Sequence, residues 1–118
     1  MILSLTYDLQ MLPESPVQRE GIEDILSKLM EQFEHCKPLA TCFFLKVVAP
    51  EHVTILYNEL EDIATTLHDG AIASLHFVMT PVEFENDNFQ YQFLKAQSAC
   101  VRTLFGFGDV VDGTAEIE

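Results

Sequence analysis

Hydrophobic and polar residues alternate along residues 2–12. The apolar positions are Leu3, Leu5, Tyr7, Leu9 and Met11. Because side chains of a strand point alternately to its two faces, this pattern predicts a strand with one buried and one wetted face. Such strands are typical of a sheet that helices cover on one side only.

After two prolines the spacing changes to three and four residues, which predicts a helix. Ser15 and Gln18 have the spacing of a capping box, and Pro16 suits the first helical position. Gly21 weakens the first turns, so the start can slip by one turn. Pro38 is expected to stop the helix. Its buried stripe is Ile22, Ile25, Leu26, Leu29, Met30 and Phe33.

Two strongly apolar segments, 40–49 and 71–79, predict two further strands. Continuous apolar runs are typical of central strands, which are covered on both faces. Lys46 is the one charge in the first run and is expected near its end. Pro81 is expected to kink or end the second, and the alternation at 82–85 predicts an edge extension.

Residues 50–69 predict a second helix. Pro50 suits its first position, and Gly70 can close its last turn in the left-handed conformation. Its apolar stripe is Val53, Leu56, Leu60, Ile63, Ala64 and Leu67. The opposite side carries Glu51, Ile55, Glu59, Asp62 and Asp69. A short strand at 53–57 is the competing interpretation, because Val53, Ile55 and Tyr57 alternate.

A third helix is predicted from Phe89 to Phe105, with Asp87 and Gln90 as a capping pair and Gly106 as the stop. Its main stripe is Phe89, Phe93, Ala96, Cys100, Leu104 and Phe107. A second apolar line is Leu94, Val101 and Phe105. A helix that is apolar on two sides in so small a domain favours a homodimer contact through this second line. A hairpin at 82–93 is the alternative.

These elements predict one small α/β or α+β domain over residues 1–108. We expect a three- or four-stranded sheet with three helices packed mainly on one face. Residues 109–118 form an acidic C-terminal tail that is expected to fray. The order of the strands cannot be read from the pattern.

Charge adds the strongest functional indication. The net charge is −13, and no Lys or Arg occurs between Lys46 and Lys95. Such a chain repels phosphate backbones and anionic membranes, so neither direct nucleic-acid binding nor membrane binding is expected. Its field attracts a basic protein instead, and salt weakens that attraction.

The carboxylates of this basic-free stretch form the candidate binding site. Its residues are Glu51, Ile55, Glu59, Asp62 and Asp69 on the second helix, with Glu83, Glu85 and Asp87 beyond the next strand. An apolar anchor ringed by acids is typical of a surface that docks on a basic protein, such as a nucleic-acid-binding protein. The weaker interpretation is a solubilising face with one isolated exposed isoleucine.

The cysteines and the lack of targeting signals indicate a reducing, cytoplasmic setting. Cys36, Cys42 and Cys100 are an odd set, expected as free thiols. The N-terminus has no basic region typical of a signal peptide, and no apolar run approaches the roughly 20 residues that a membrane helix needs. Cys36 and Cys42 lack a second ligand pair at zinc spacing, so no metal is expected.

No catalytic or nucleotide-binding signature occurs, so we expect a non-enzymatic binding or regulatory module without a cofactor. His76 lies in an apolar strand and is interpreted as a hydrogen-bonded core or interface histidine. Cys100 is interpreted as a small core residue. The alternative is a small dimeric enzyme or ligand-binding domain with a pocket near His76.

Overall fold

The computed structural model describes residues 1–82, 92–93 and 95–106. Their helices and strands are β1 (Ile2–Met11), α1 (Arg19–Met30), β2 (Glu34–Leu39), β3 (Cys42–Lys46), α2 (Pro50–Asp69), β4 (Ala73–Val82) and α3 (Ala99–Leu104). The sheet and its helices confirm the expected α+β class.

The four strands form one sheet in the order β2-β3-β1-β4, and each neighbouring pair is antiparallel. β1 and β2 are both antiparallel to β3, which lies between them, so they run parallel to each other. Because α1 connects them, β1, α1 and β2 form a split βαβ unit. The order βαββαβ over β1 to β4 is that of a ferredoxin-like sandwich.

The main core lies between the inner face of this sheet and helices α1 and α2. Strand β1 contributes Leu3, Leu5, Tyr7 and Leu9, as the alternation predicts. The helices contribute Ile22, Leu26, Met30, Leu56, Leu60 and Leu67. Burying each leucine or isoleucine contributes about 1.5–3 kcal/mol, and a one-residue slip of β1 would move its apolar set to the other face. The alternation therefore predicts both that these residues form a strand and in which register the strand pairs with its neighbours.

A smaller buried group lies on the outer face of the sheet. Ile2 and Cys42 are buried but belong to the strand positions that alternate with the inner set. Val101 and Leu104 of α3 are also buried, and α3 contacts β2 and β3. Two helices therefore cover the inner face, and α3 covers one side of the outer face.

Helix α1 is shorter than predicted at both ends. Its N-cap is Gln18, and the Ser15 hydroxyl instead forms a local turn by accepting the backbone N–H of Val17 at 3.1 Å. The helix ends at Met30, and residues 34–39, including Pro38, form the edge strand β2. Ile25, assigned to the buried stripe, is 50% exposed. The apolar spacing of the helix continues to Phe33, beyond its end at Met30, so the pattern did not indicate that a strand begins at Glu34.

The predicted position and end of strand β4 are also wrong. It was predicted to be central and to end or kink at Pro81, but it is an edge strand in the described sheet and continues to Val82. Proline lacks a backbone N–H and is tolerated at an edge, where one row of backbone groups has no strand partner. His76, interpreted as a core or interface residue, is exposed on the outer face.

The predicted third helix is interrupted. Ser98 has an extended backbone, with φ −67° and ψ 162°, and α3 begins only at Ala99. Gly106 follows α3 with a φ of +91°, in agreement with its expected role as a stop. Cys100 is exposed, so its interpretation as a core residue is wrong.

Three further predictions fall largely or wholly outside the described residues. These are the edge extension at 82–85, the choice between hairpin and helix at 82–93, and the acidic tail at 109–118. Within the described part of the chain, no helix combines the length and the apolar character needed to span a membrane.

Candidate protein-binding surface

Helix α2 presents one side to the core and the other to solvent. It runs from Pro50 to Asp69, as the sequence predicts. Leu56 is fully buried, at 0% exposure, whereas its neighbour Ile55 is 51% exposed. Because a helix turns by about 100° per residue, this difference fixes which side of α2 faces the solvent.

The predicted α2 residues share that solvent side. We call this set the acidic face, and it consists of Glu51, Ile55, Glu59, Asp62 and Asp69. Glu51, Ile55, Asp62 and Asp69 are exposed, and Glu59 is half-buried. This side of α2 therefore holds four carboxylates and one exposed apolar side chain.

Most of the basic side chains are engaged on other elements. Arg19 donates to the Leu9 carbonyl, Lys37 lies 5.1 Å from the Phe43 ring centroid, Lys46 pairs with Glu34 at 3.9 Å, and Arg102 donates to the Gln97 carbonyl. Four of the six basic side chains are thus engaged with groups that lie outside α2.

The acidic face has two polar contacts with neighbouring side chains. Gln32 Nε2 donates to Glu59 Oε1 at 3.3 Å, and His68 Nδ1 lies 3.6 Å from Asp69 Oδ1. Neither partner is a lysine or arginine. Across residues 1–82, 92–93 and 95–106, no carboxylate of α2 forms an ion pair with either residue type. In the described part of the chain, this face therefore has no lysine or arginine partner for its carboxylates.

Tyr57 lies on the flank of α2 that faces β4. Its ring centroid is 5.7 Å from that of Phe77, in an edge-on arrangement. Interaction of its hydroxyl with the Glu61 carboxylate raises the pKa of Tyr57 above its ordinary value. Sequence reasoning missed this pair, although the spacing of four residues on a helix was a usable signal.

The remaining predicted site residues are only partly described. Glu83, Glu85 and Asp87 of the binding site and Leu94 of the dimer contact lie outside the described residues. Val101 is 1% exposed and so offers almost no surface to a second chain, while Phe105 is half-buried. The homodimer remains a prediction.

A second feature lies between the end of α2 and β4. A cleft of about 230 Å³ is lined by His68 and His76 together with Ala64, Thr65, Ser74 and Leu75. The Ser74 hydroxyl and His76 Nε2 are 3.1 Å apart. Sequence reasoning singled out His76 but missed its proximity to His68, because that depends on how α2 crosses the sheet. No cluster of three or more metal-binding side chains occurs in the part of the chain described here.

No family model, curated protein or solved structure matches this chain. The fold alone does not assign a function, because ferredoxin-like domains carry many unrelated activities.

Proposed function

We propose that this protein is a non-enzymatic binding module whose acidic face docks on a basic protein surface. The observation that carries the proposal is the set of four carboxylates on the solvent side of α2, without a lysine or arginine partner in the described residues. Ile55, at 51% exposure, supplies an apolar contact within this charged surface.

The energetics favour a partner of opposite charge. A cluster of like charges raises the local potential, speeds the encounter with a cationic surface and repels anionic ones. Ile55 can lose its remaining water contact on docking, and a buried aliphatic anchor ringed by polar groups is the usual arrangement at an interface. A nucleic-acid-binding protein is a suitable partner, because its basic surface already accommodates phosphate charges.

The test compares two triple variants with the same net charge. One variant carries Glu51→Gln, Asp62→Asn and Asp69→Asn on the acidic face. The control carries Glu14→Gln, Glu20→Gln and Asp24→Asn, which lie on or before α1 and are exposed. Basic proteins captured from the host lysate at low salt by the unaltered chain are identified by mass spectrometry, purified, and titrated against all three chains.

We expect the acidic-face variant to bind about tenfold more weakly, because three surface charges at about 0.5 kcal/mol each contribute about 1.5 kcal/mol. The control should bind nearly as well as the unaltered chain, and affinity should fall as salt rises. Equal weakening in both variants would show that only total charge matters. Failure to capture any basic protein would count against the proposal directly.

The cleft beside β4 supports a second candidate, a small-molecule binding domain or enzyme. Its support is the Ser74–His76 hydrogen bond at 3.1 Å and the presence of His68 in the same cleft. A screen of small anions and metabolites by thermal shift tests it. Ligands of the cleft should stabilise the unaltered chain but not His76→Ala, and an absence of such ligands argues for the acidic face alone.

A further inference from the structure

The fold brings together cysteines that are about sixty residues apart in the chain. Cys36 lies on β2 and Cys100 lies near the start of α3. Both line one cleft of about 360 Å³ between β2 and α3. The two thiols lie close enough for Cys100 to raise the pKa of Cys36. The two cysteines share this cleft because α3 packs on the outer face of the sheet.

The two thiols differ in their access to solvent. Cys100 is exposed, and its sulfur lies 3.4 Å from the Ser98 hydroxyl. Cys36 is half-buried, and its pKa is raised from 9.0 to about 12. Burial is the largest cause, and the neighbouring Cys100 thiol is the second. Cys36 therefore stays protonated at neutral pH, and Cys100 is the sulfur that a dissolved oxidant meets first.

The third cysteine supplies an internal comparison. Cys42 is buried on the outer face of β3, and its sulfur lies 3.9 Å from both the Ser4 and Thr6 hydroxyl oxygens. It does not line the cleft that contains Cys36 and Cys100. Two of the three thiols thus share a solvent-accessible site, and one is enclosed.

We propose that Cys36 and Cys100 form a reversible disulfide site that fastens α3 to β2 under oxidising conditions. The position of both cysteines on one open cleft, between two elements that contact each other, carries this inference. It is independent of the acidic face and of any partner bound there.

The chemistry balances with a peroxide as oxidant. The Cys100 sulfur attacks one peroxide oxygen, the O–O bond breaks, and a sulfenic acid and one water form. The Cys36 sulfur then attacks the Cys100 sulfur, the S–O bond breaks, and the hydroxyl leaves as water with the Cys36 proton. Two thiols are oxidised and one peroxide is reduced to two waters. A dithiol reductant restores the thiols.

The disulfide should stabilise the folded chain in addition to linking α3 to β2. A cross-link over so long a loop restricts the unfolded ensemble, and loops of this size typically give a substantial gain when the native geometry already fits. We expect the melting temperature of the oxidised monomer to exceed that of the reduced monomer by about 10 °C.

The experiment treats the reduced full chain with hydrogen peroxide at low protein concentration. Remaining thiols are alkylated under denaturing conditions, and the intact mass and proteolytic peptides are measured. We expect a monomer that has lost two hydrogen atoms, retains one alkylated thiol at Cys42, and yields a linked peptide pair containing Cys36 and Cys100. Adding a dithiol should reverse both the mass change and the rise in melting temperature.

Three single variants complete the test. Cys42→Ser should still form the link, whereas Cys36→Ser and Cys100→Ser should not. Peptides from the unaltered chain that link Cys36 to Cys42, or that link two chains, would overturn the proposal. So would oxidation of Cys100 to the sulfinic acid without any linked peptide. The peptide map uses the unaltered chain, so it decides the matter even if a variant folds poorly.

Discussion

Ala71 has the left-handed backbone conformation that the sequence assigns to Gly70. Its φ is +54°, whereas Gly70 has an ordinary φ of −83°. The chain turns one residue later than expected because the Gly70 N–H continues the helical pattern by donating to the Thr66 carbonyl at 3.0 Å. The backbone N–H of Ala71 then donates to the His68 carbonyl, and the turn leads into β4.

Ala71→Gly should therefore stabilise the protein. A left-handed alanine costs about 1–2 kcal/mol, and the added flexibility of glycine in the unfolded chain offsets part of the relief. We expect a gain of about 0.5–1 kcal/mol in the free energy of unfolding, measured by urea denaturation. A loss of stability would mean that Ala71 is not under strain in solution.

Individual side chains show why the candidate sites were only partly predictable. Helical spacing was sufficient to place Glu51, Ile55 and Asp62 on one side of α2, because that relation is local. The shared cleft of Cys36 and Cys100 depends on where α3 lies across the sheet. A single sequence gives no register for that packing, so it does not reveal that these two thiols line one site.

At the scale of elements, β1 and α2 were predicted closely because each has a clear period over ten or more residues. Strand β2 was missed since its sequence, EHCKPL, is short, largely polar and interrupted by proline. It is an edge strand, and its ladder with β3 is irregular between Cys36 and Leu39. Tertiary pairing with β3, rather than intrinsic propensity, stabilises such a segment.

The orientation of α2 gives a sharp prediction at this scale. Leu56→Ala should lower the free energy of unfolding by about 2–5 kcal/mol, because it leaves a cavity in the main core. Ile55→Ala, one residue away, should change it by less than about 0.5 kcal/mol because Ile55 faces solvent. Urea denaturation of both variants measures this, and similar losses would show that Ile55 is buried in solution.

For the whole molecule, hydrophobic patterning predicted the class of fold but not the strand order. The apolar character of β4 suggested a central strand, yet β4 is at the edge and Val78 is 63% exposed on it. Apolar composition thus did not distinguish a strand with two neighbours from one with a single neighbour in the described sheet. Topology depends on long-range pairing, which leaves no periodic signal in the chain.

The edge position of β4 in the described sheet predicts association when salt screens the net charge. β4 contains no Asp, Glu, Lys or Arg, so apart from Pro81 near its end its own residues do not block pairing with another strand. We expect light scattering to rise with protein concentration in high salt and to stay flat in low salt. Val78→Lys should suppress the rise, whereas Thr41→Lys, in an exposed turn with the same charge change, should not. Equal suppression by both variants would exclude β4 as the contact.

Strand β4 has ten residues and no acidic or basic side chain, although the chain as a whole is strongly anionic. The carboxylates elsewhere on the protein therefore gain a second physical role, which is to limit self-association. Other proteins place a lysine or a bulge on such a strand to prevent strand addition. Here, mutual repulsion between whole molecules supplies that protection at a distance. Resistance to self-association and binding of a basic partner would then depend on the same carboxylates. A substitution that weakens partner binding should therefore also be tested for self-association.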